Sequence, residues 1–158
     1  MITIRAATPA DAGAISCFIV RALRRTNGRD YPPVVIDALV HKFSTERVIA
    51  FIATRNVYVA DCSRVAVGTA GLQGSFVRSV YVDPDHQGRG VGTKLMEKIE
   101  DLARARIVAT LVVPSSVTAF GFYSRLGFSP VREEVHWNAR TIIMHKQIMP
   151  TTSYDGAR

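Results

Sequence analysis

The sequence has little of the chemistry that marks a secreted, metal-binding or membrane protein. It has two cysteines in 158 residues, Cys17 and Cys62, whose spacing fits neither a metal site nor a disulfide framework. No apolar run is long enough to cross a membrane. The first residues, Met1 to Arg5, lack the pattern of a signal peptide. These absences predict a reduced, cytoplasmic protein that binds no metal and no membrane.

The two familiar phosphate-binding loops are also missing, since neither GxxxxGK[ST] nor GxGxxG occurs. The net charge of +7 could serve a nucleic acid, a polyanionic cofactor or simply a solvated surface. The basic residues are scattered over every segment, and no zinc-finger spacing or aromatic RNA-binding motif accompanies them. We therefore do not expect nucleic acid as a partner.

The length and the hydrophobic content of 47% fit one globular domain with a real core. We expect this domain to cover residues 1–148. The last ten residues, 149–158, are expected to form a disordered tail.

One stretch, residues 80–96, predicts a strand, a turn, a glycine-rich loop and a helix in succession. The segment Asp83-Pro84-Asp85 has turn chemistry. Gly88, Gly90 and Gly92 follow, and the helix begins near Val91. Backbone N–H groups in such a loop, together with a helix N-terminus, attract anions. The stretch therefore predicts a seat for a phosphate or pyrophosphate.

The rest of the chain predicts an α/β (α+β) domain. Short connections join three strands, 57–60, 65–72 and 76–82, into an antiparallel meander. The third of these, the following helix and the apolar strand 109–113 form a βαβ unit. Residues 133–140 are interpreted as a polar excursion between two late strands. The predicted order is β-α-α-β-β-β-α-β-α-β, a mixed, mostly antiparallel central sheet flanked by helices.

Two motifs resemble those of the GCN5-related N-acetyltransferase (GNAT) superfamily. Gln87-x-x-Gly90-x-Gly92, directly after a hydrophobic strand, is similar to the family's acetyl-CoA loop. Residues 119–128, AFGFYSRLGF, resemble its second signature, Ala-x-x-Phe-Tyr-x-x-x-Gly-Phe. The resemblance covers roughly residues 2–148 and implies a GNAT-like fold with acetyl-CoA as cosubstrate.

The resemblance also implies roles for individual residues. Main-chain groups of Val80 and Val82 would bond the pantetheine arm, and the N–H of Val80 would polarise the thioester carbonyl. The loop from Gln87 to Thr93 would hold the pyrophosphate. The residues implied in cofactor binding are Val80, Tyr81, Val82, Gln87, Gly88, Arg89, Gly90, Val91, Gly92, Thr93, Ser116, Phe120 and Tyr123.

Tyr123 is the candidate general acid, because a phenol within hydrogen-bond reach can protonate or stabilise the departing thiolate. The alternative is an aromatic core residue beside Phe122 and Phe128. Ser116 stands where relatives often have Asn, and it could instead cap the last helix. With Val80, Tyr123 completes the set of residues to which the resemblance gives a catalytic role.

A general base is not evident. Many relatives carry a carboxylate on the strand before the loop, whereas residues 76–82 contain none. The possible substitutes are Asp30, Tyr31, Glu133, Glu134 and His136, each of which could equally be a solvated loop residue. Water could also relay the proton. Asp30, Tyr31 and Arg78 are predicted to contact the acceptor, and Arg78 could recognise an acceptor carboxylate or merely cover the sheet edge.

The sequence therefore predicts an acetyl-CoA-dependent N-acetyltransferase that transfers an acetyl group directly to a primary amine of a small molecule or peptide. A non-catalytic acyl-CoA-binding regulatory module is the alternative, and the absent carboxylate motivates it. The protein is expected to be a monomer or a homodimer.

Overall fold

A computed structural model describes residues 1–136 and 138–149. The predicted tail therefore lies almost entirely outside the described residues. Within them the chain forms seven strands and five α-helices, in addition to three short 3₁₀ turns. The elements are β1 (Ile2–Ala6), α1 (Ala12–Arg25), α2 (Pro33–His41), α3 (Thr45–Thr54), β2 (Asn56–Cys62), β3 (Val65–Gln73), β4 (Phe76–Val82), α4 (Val91–Ala105), β5 (Thr110–Ser116), α5 (Phe120–Arg125), β6 (Ser129–His136) and β7 (Ala139–Gln147).

The strands form one sheet in the order β1-β2-β3-β4-β5-β7-β6. All neighbours are antiparallel except β4 and β5, which are parallel and are joined through α4. The predicted meander, the predicted βαβ unit and the mixed, mostly antiparallel sheet are all confirmed. The predicted element order was short by one helix, α3, and by one strand after α5.

The interpretation of residues 133–140 as a polar excursion was wrong. Strand β6 continues to His136 and β7 begins at Ala139, so most of this segment belongs to a hairpin. Glu133 faces Ile142 and Glu134 faces Thr141 in the register. Seven of the eight residues of β6 are exposed, so the sequence carries no alternation of polar and apolar residues to reveal the strand.

Helices cover both faces of the sheet. Helices α4 and α5 pack on one face over a core that includes Leu95, Ile99 and Leu111. Helices α1, α2 and α3 pack on the other, over a core that includes Ile15 and Phe18. Cys17, on α1, is exposed.

Helix α4 lies unusually close to strand β3. A Cβ atom on Gly68 would be 2.9 Å from Cγ1 of Val91 and 3.0 Å from Cδ1 of Leu95. Only glycine leaves room for this approach of the helix to the strand. The contact fixes the start of α4 against the sheet and so fixes the loop that precedes it.

A bulge in β4 opens the sheet next to β5. Arg78 pairs with Gly71, and Tyr81 pairs with Thr69, so two residues of β4 lie opposite Ala70. Ser79 in the bulge has a φ of 51°, which L-residues seldom adopt. In the described chain, β4 and β5 share the single register pair Phe76–Val112, and beyond it they diverge.

No helix in the ranges 1–136 and 138–149 is both long and apolar enough to cross a membrane.

Candidate active site

A cavity of about 740 Å³ fills the gap between β4 and β5. It is bounded by the two strands, the glycine loop with the start of α4, helix α5, and the region from α1 to the end of α3. It therefore reaches both faces of the sheet. This size matches the usual range for sites that bind small molecules or cofactors.

The edge of β4 offers free main-chain groups to this cavity. The N–H of Asp83 donates to the carbonyl of Val67 at 2.7 Å, so Asp83 directs its main-chain groups toward β3. Successive residues of a strand direct these groups to opposite sides. Val82 therefore directs its groups toward the gap, where its carbonyl accepts a hydrogen bond from the Gln87 side chain and its N–H faces the cavity. Val80, next to the bulge, also lines the cavity.

The glycine loop ends on the first turn of α4. Gly90 is the N-cap of the helix with a φ of 81°, and Gly88 has a φ of 75°. Glycine adopts such angles without the penalty that a Cβ imposes. The first N–H groups of α4 have no acceptor inside the helix, and Val91, Gly92 and Thr93 all line the cavity. These groups and the helix dipole form a seat for an anion.

Gly92 has a different reason to be glycine. A Cβ atom there would lie 3.0 Å from Cζ of Phe122. The ring of Phe122 thus packs directly on the first turn of α4. This contact joins the two signature motifs.

Side chains outside the loop hold it in place. The side-chain amide of Gln87 donates to the carbonyl of Val82 at 3.1 Å and to Oγ1 of Thr26 at 3.2 Å. Asp83 is buried and pairs with Arg21 at 2.9 Å. Arg21 also pairs with Asp85 at 2.8 Å. Helix α1 therefore clamps the turn before the loop, a role for Arg21 that no motif in the sequence indicated.

Tyr123 lines the cavity and is 4% exposed. Its ring makes edge contacts with Phe122 at 5.1 Å and with Phe128 at 5.5 Å between ring centroids. Burial raises the pKa of Tyr123 above its ordinary value. The hydroxyl is therefore protonated at neutral pH and available as a donor.

Ser116 also lines the cavity, and its hydroxyl accepts a 3.1 Å hydrogen bond from the N–H of Ala119. Ser116 therefore stabilises the turn that leads into α5, but it is the last residue of β5 and not the N-cap, which is Ala119. Arg89 and Phe120 do not line the cavity, although Phe120 packs on the core beneath it.

The residues suggested as bases are engaged elsewhere. The Tyr31 hydroxyl donates to the carbonyl of Arg140 at 2.7 Å and accepts from the N–H of Val117 at 2.8 Å. Burial raises the pKa of Tyr31. Asp30 does not line the cavity, and its carboxylate accepts a 2.7 Å hydrogen bond from Thr118.

The hairpin candidates lie outside the cavity as well. Glu133 pairs with Arg140, and Glu134 lies 2.7 Å from His136. None of these four residues lines the cavity. No Asp or Glu of the described chain lines it.

Arg78 lines the cavity, together with several residues that the sequence gave no reason to select. These others include Arg55 at the end of α3, Phe43 before it, and Phe51 within it. They come from α3 and its two ends, 32 to 44 residues before Gln87, and only the folded chain brings them to β4. His86, in the turn before Gln87, also lines the cavity, and its Nδ1 lies 3.9 Å from a carboxylate oxygen of Asp83.

Among the described residues, no three His, Cys, Asp or Glu side chains come together in an arrangement that could hold a metal ion.

Comparison with known proteins agrees with this geometry. A family profile described as an acetyltransferase (GNAT) domain matches residues 53–130. An uncharacterized N-acetyltransferase of Escherichia coli, YafP, is 27% identical over 133 residues, which cover 84% of this chain and 85% of YafP.

Solved structures match over most of the chain. A GCN5-related N-acetyltransferase from Rhodopseudomonas palustris superimposes with a TM-score of 0.88 and 26% identity, over 92% of this chain and 94% of that one. The PaiA N-acetyltransferase of Thermoplasma acidophilum, in complex with coenzyme A, superimposes with a TM-score of 0.78 and 17% identity. That match covers 93% of this chain and 99% of PaiA, and it shows the fold alone.

The matches above identify the class of the protein as an acyltransferase. The two sequence motifs and the matches above narrow this class to one family. The chain belongs to the GCN5-related N-acetyltransferase superfamily, as its motifs predicted.

Proposed function

We propose that this chain is an acetyl-CoA-dependent N-acetyltransferase that transfers an acetyl group directly to a primary amine of a small molecule or peptide. The observation that carries the proposal is one continuous cavity between β4 and β5. That cavity brings an anion seat, the free edge of a strand and the phenol of Tyr123 to one place.

The acetyl donor, acetyl-CoA, would lie along the gap between β4 and β5. Its pyrophosphate would accept hydrogen bonds from the loop between Gln87 and Thr93, and its pantetheine arm would pair with the main-chain groups of Val80 and Val82. The bulge at Ser79 supports this placement, because it separates β4 from β5. The arm would then occupy the position of the missing strand.

Two groups would assist the chemistry. The N–H of Val80 would donate to the thioester oxygen as negative charge develops there. One such hydrogen-bond donor lowers the activation free energy by about 3 kcal/mol where it has been measured. Tyr123 would donate its proton to the departing thiolate sulfur. Its raised pKa keeps the proton on the phenol at neutral pH, so Tyr123 is present as a hydrogen-bond donor when negative charge develops on the sulfur.

The acceptor must lose a proton before it attacks. For an amine with a pKa near 10.4, deprotonation at pH 7 costs about 4–5 kcal/mol. Since no carboxylate of the described residues lines the cavity, the proton would leave through water. Tyr31 would serve the site by bracing the chain around it rather than as a base.

The first test is calorimetric titration with acetyl-CoA and with CoA. The wild type should bind both, and Gly90→Glu should bind neither, because it places a carboxylate and a strained backbone at the pyrophosphate seat. Gly13→Ala, in a helix with open space around it, is the matched control and should bind like the wild type. A folded wild type that binds neither ligand would refute the proposal.

The second test concerns Tyr123. With an accepted amine, Tyr123→Phe should lower kcat at least tenfold and leave the affinity for acetyl-CoA within about twofold. Unchanged turnover would remove the general-acid role while leaving the transferase assignment standing.

A non-catalytic acyl-CoA-binding module is the second candidate, and the lack of a carboxylate among the described residues of the cavity favours it. It predicts tight donor binding with no release of free thiol across a broad panel of amines. Thiol release with any amine, abolished by Gly90→Glu, would exclude it.

A further inference from the structure

Three arginines, Arg55, Arg78 and Arg125, line the cavity without any carboxylate partner in the described part of the chain, and the first two lie near each other. Arg55 stacks on Phe51, with its guanidinium carbon 4.0 Å from the ring centroid, and its Nη1 lies 3.4 Å from the hydroxyl of Ser79. Arg78 stacks more loosely on Phe76, at 5.1 Å. Its Nε is buried and has no hydrogen-bond acceptor.

Several other arginines of the protein pair with acids. Arg5 contacts Asp11 and Asp61, while Arg21 contacts Asp83 and Asp85. By contrast, desolvation and the nearby charge of Arg78 lower the pKa of Arg55. Two like charges held close together in a partly desolvated cavity are costly, and a bound anion would relieve that cost.

The position of this arginine pair excludes the donor's pyrophosphate as the anion. Arg78 lies near the start of β4, whereas the glycine loop follows the end of that strand. A strand rises about 3.3 Å per residue, so Arg78 and Val82 are roughly 13 Å apart. Val80, the residue proposed to hold the thioester, lies between them. The arginine pair is therefore on the acceptor side of the reacting bond.

The surroundings of the pair are apolar on one side. Phe43 and Phe51 contact each other edge to face with ring centroids 6.1 Å apart, and both line the cavity. Leu39 lines it as well. An acceptor that suits this region combines an anionic group with an apolar body.

We propose that the acceptor is an amine that also carries a carboxylate, as an amino acid does, and that Arg55 and Arg78 bind this carboxylate. The planar fork of a guanidinium matches a carboxylate in two parallel hydrogen bonds. The aromatic wall of Phe43 and Phe51 holds the apolar side chain of the same molecule. This inference rests on the proposed acetyl transfer, and it names the substrate class of that reaction.

The experiment compares matched acceptors by release of free CoA thiol. The probes are L-phenylalanine, L-leucine and L-methionine, each beside its amide, with phenethylamine as a neutral amine. 2-Aminoethylphosphonate and taurine test other anions. The free amino acids should exceed their amides at least tenfold in kcat/KM.

The same assay on Arg55→Gln and Arg78→Gln should raise KM for the amino acid at least tenfold, with kcat changed less than threefold. Arg78→Lys keeps the charge but loses the planar guanidinium. Its KM for the amino acid should therefore lie between the values of the wild type and of Arg78→Gln. Arg24→Gln is the control, since this exposed arginine pairs only with exposed Asp37. Calorimetry should show unchanged acetyl-CoA binding in every variant, which separates a lost acceptor site from a misfolded protein.

Preference for the amides or for phenethylamine would overturn the inference and leave the acetyltransferase proposal intact. Preference for the phosphonate or the sulfonate would overturn the carboxylate assignment. Equal KM values in the wild type and in both Gln variants would overturn the role of the two arginines in binding the carboxylate. Acetyl-CoA binding with transfer to no probe would overturn this inference and the proposed transfer together, whereas absent acetyl-CoA binding would refute the donor site itself.

Discussion

The side-chain amide of Gln87 donates a 3.1 Å hydrogen bond to the main-chain carbonyl of Val82. The first residue of the glycine motif thus ties the loop back to the strand that precedes it. Its second bond, to Thr26, ties the same loop to the end of α1. Gln87 therefore positions the anion seat with its side chain, and only its backbone is free to contact a phosphate.

Replacing Gln87 by Ala should loosen this loop. Because the residue is exposed, we expect the free energy of unfolding to fall by no more than about 1 kcal/mol. The dissociation constant of acetyl-CoA should rise about three- to tenfold, measured by calorimetry. Gln73→Ala, an exposed glutamine at the end of β3, is the control. Wild-type affinity in Gln87→Ala would show that the loop holds its shape without these bonds.

Gly90→Ala tests the left-handed N-cap of α4. With a φ of 81° at this position, a Cβ should cost about 1–2 kcal/mol of unfolding free energy, measured in urea. Gly13→Ala should instead stabilise the protein by up to about 1 kcal/mol, because this helical glycine has no atom near its Cβ position. A Gly90→Ala variant as stable as the wild type would contradict the described backbone.

Gly92→Ala tests a different constraint on the same motif, the 3.0 Å approach of Phe122. Overpacking there should cost about 1–3 kcal/mol. Adding Phe122→Leu should recover part of this loss, so a double-mutant cycle should give a coupling of at least about 0.5 kcal/mol. Strict additivity of the two changes would mean that the ring and the helix do not touch.

Much of this site could be predicted from the sequence because it is built from local structure, which nearby residues determine. Residues 80–96 carry local signals: a strand alternation, turn residues and glycines at positions that need them. The order of helices and strands followed from the same kinds of signal. What the sequence alone could not supply was anything that depends on tertiary contact.

Ser79 illustrates one limit, because a serine in the left-handed region has no sequence signature, yet its bulge opens the cavity. Arg55 illustrates another, since nothing nearby in the sequence distinguishes it from the other arginines. The extent of the hairpin of β6 and β7 was missed for a third reason. Strand β6 is exposed and buries no alternate face, and pairs such as Glu133 with Arg140 connect it to the partly buried β7.

The pH dependence of turnover should test the raised pKa of the proposed acid, Tyr123. Because burial raises the pKa of Tyr123, its proton should remain in place up to at least pH 10. The value of kcat/KM should therefore rise with pH as the acceptor amine deprotonates, and it should show no falling limb below pH 10 in a folded enzyme. A falling limb below pH 9 that vanishes in Tyr123→Phe would support the acid role of Tyr123 but contradict its raised pKa.

Acid stability should depend on Asp11. Hydrogen bonds from Arg5 and from the N–H of Thr8 lower the pKa of this carboxyl from 3.8 to about 2. A carboxyl with a lowered pKa stabilises the fold above its unfolded value, and that contribution disappears as the pH falls from about 4 to 2.

Urea unfolding should therefore show Asp11→Asn to be about 1 kcal/mol less stable than the wild type at pH 7, with the difference shrinking toward pH 2. Asp37→Asn, at an exposed pair, should show little difference at either pH. A difference in unfolding free energy between Asp11→Asn and the wild type that stayed constant from pH 7 to pH 2 would refute the ionic contribution of Asp11.

The divergence of β4 and β5 has a consequence for the whole molecule. In the described chain, a single register pair and the crossover helix connect the four strands β1 to β4 with the three strands β5, β7 and β6. The sheet is therefore two half-sheets meeting at a seam that lacks most of its hydrogen-bond ladder. A donor whose amides filled that seam would act as a temporary eighth strand that joins the halves. Binding of acetyl-CoA would therefore stabilise the whole domain against unfolding. The melting temperature would rise with the concentration of acetyl-CoA.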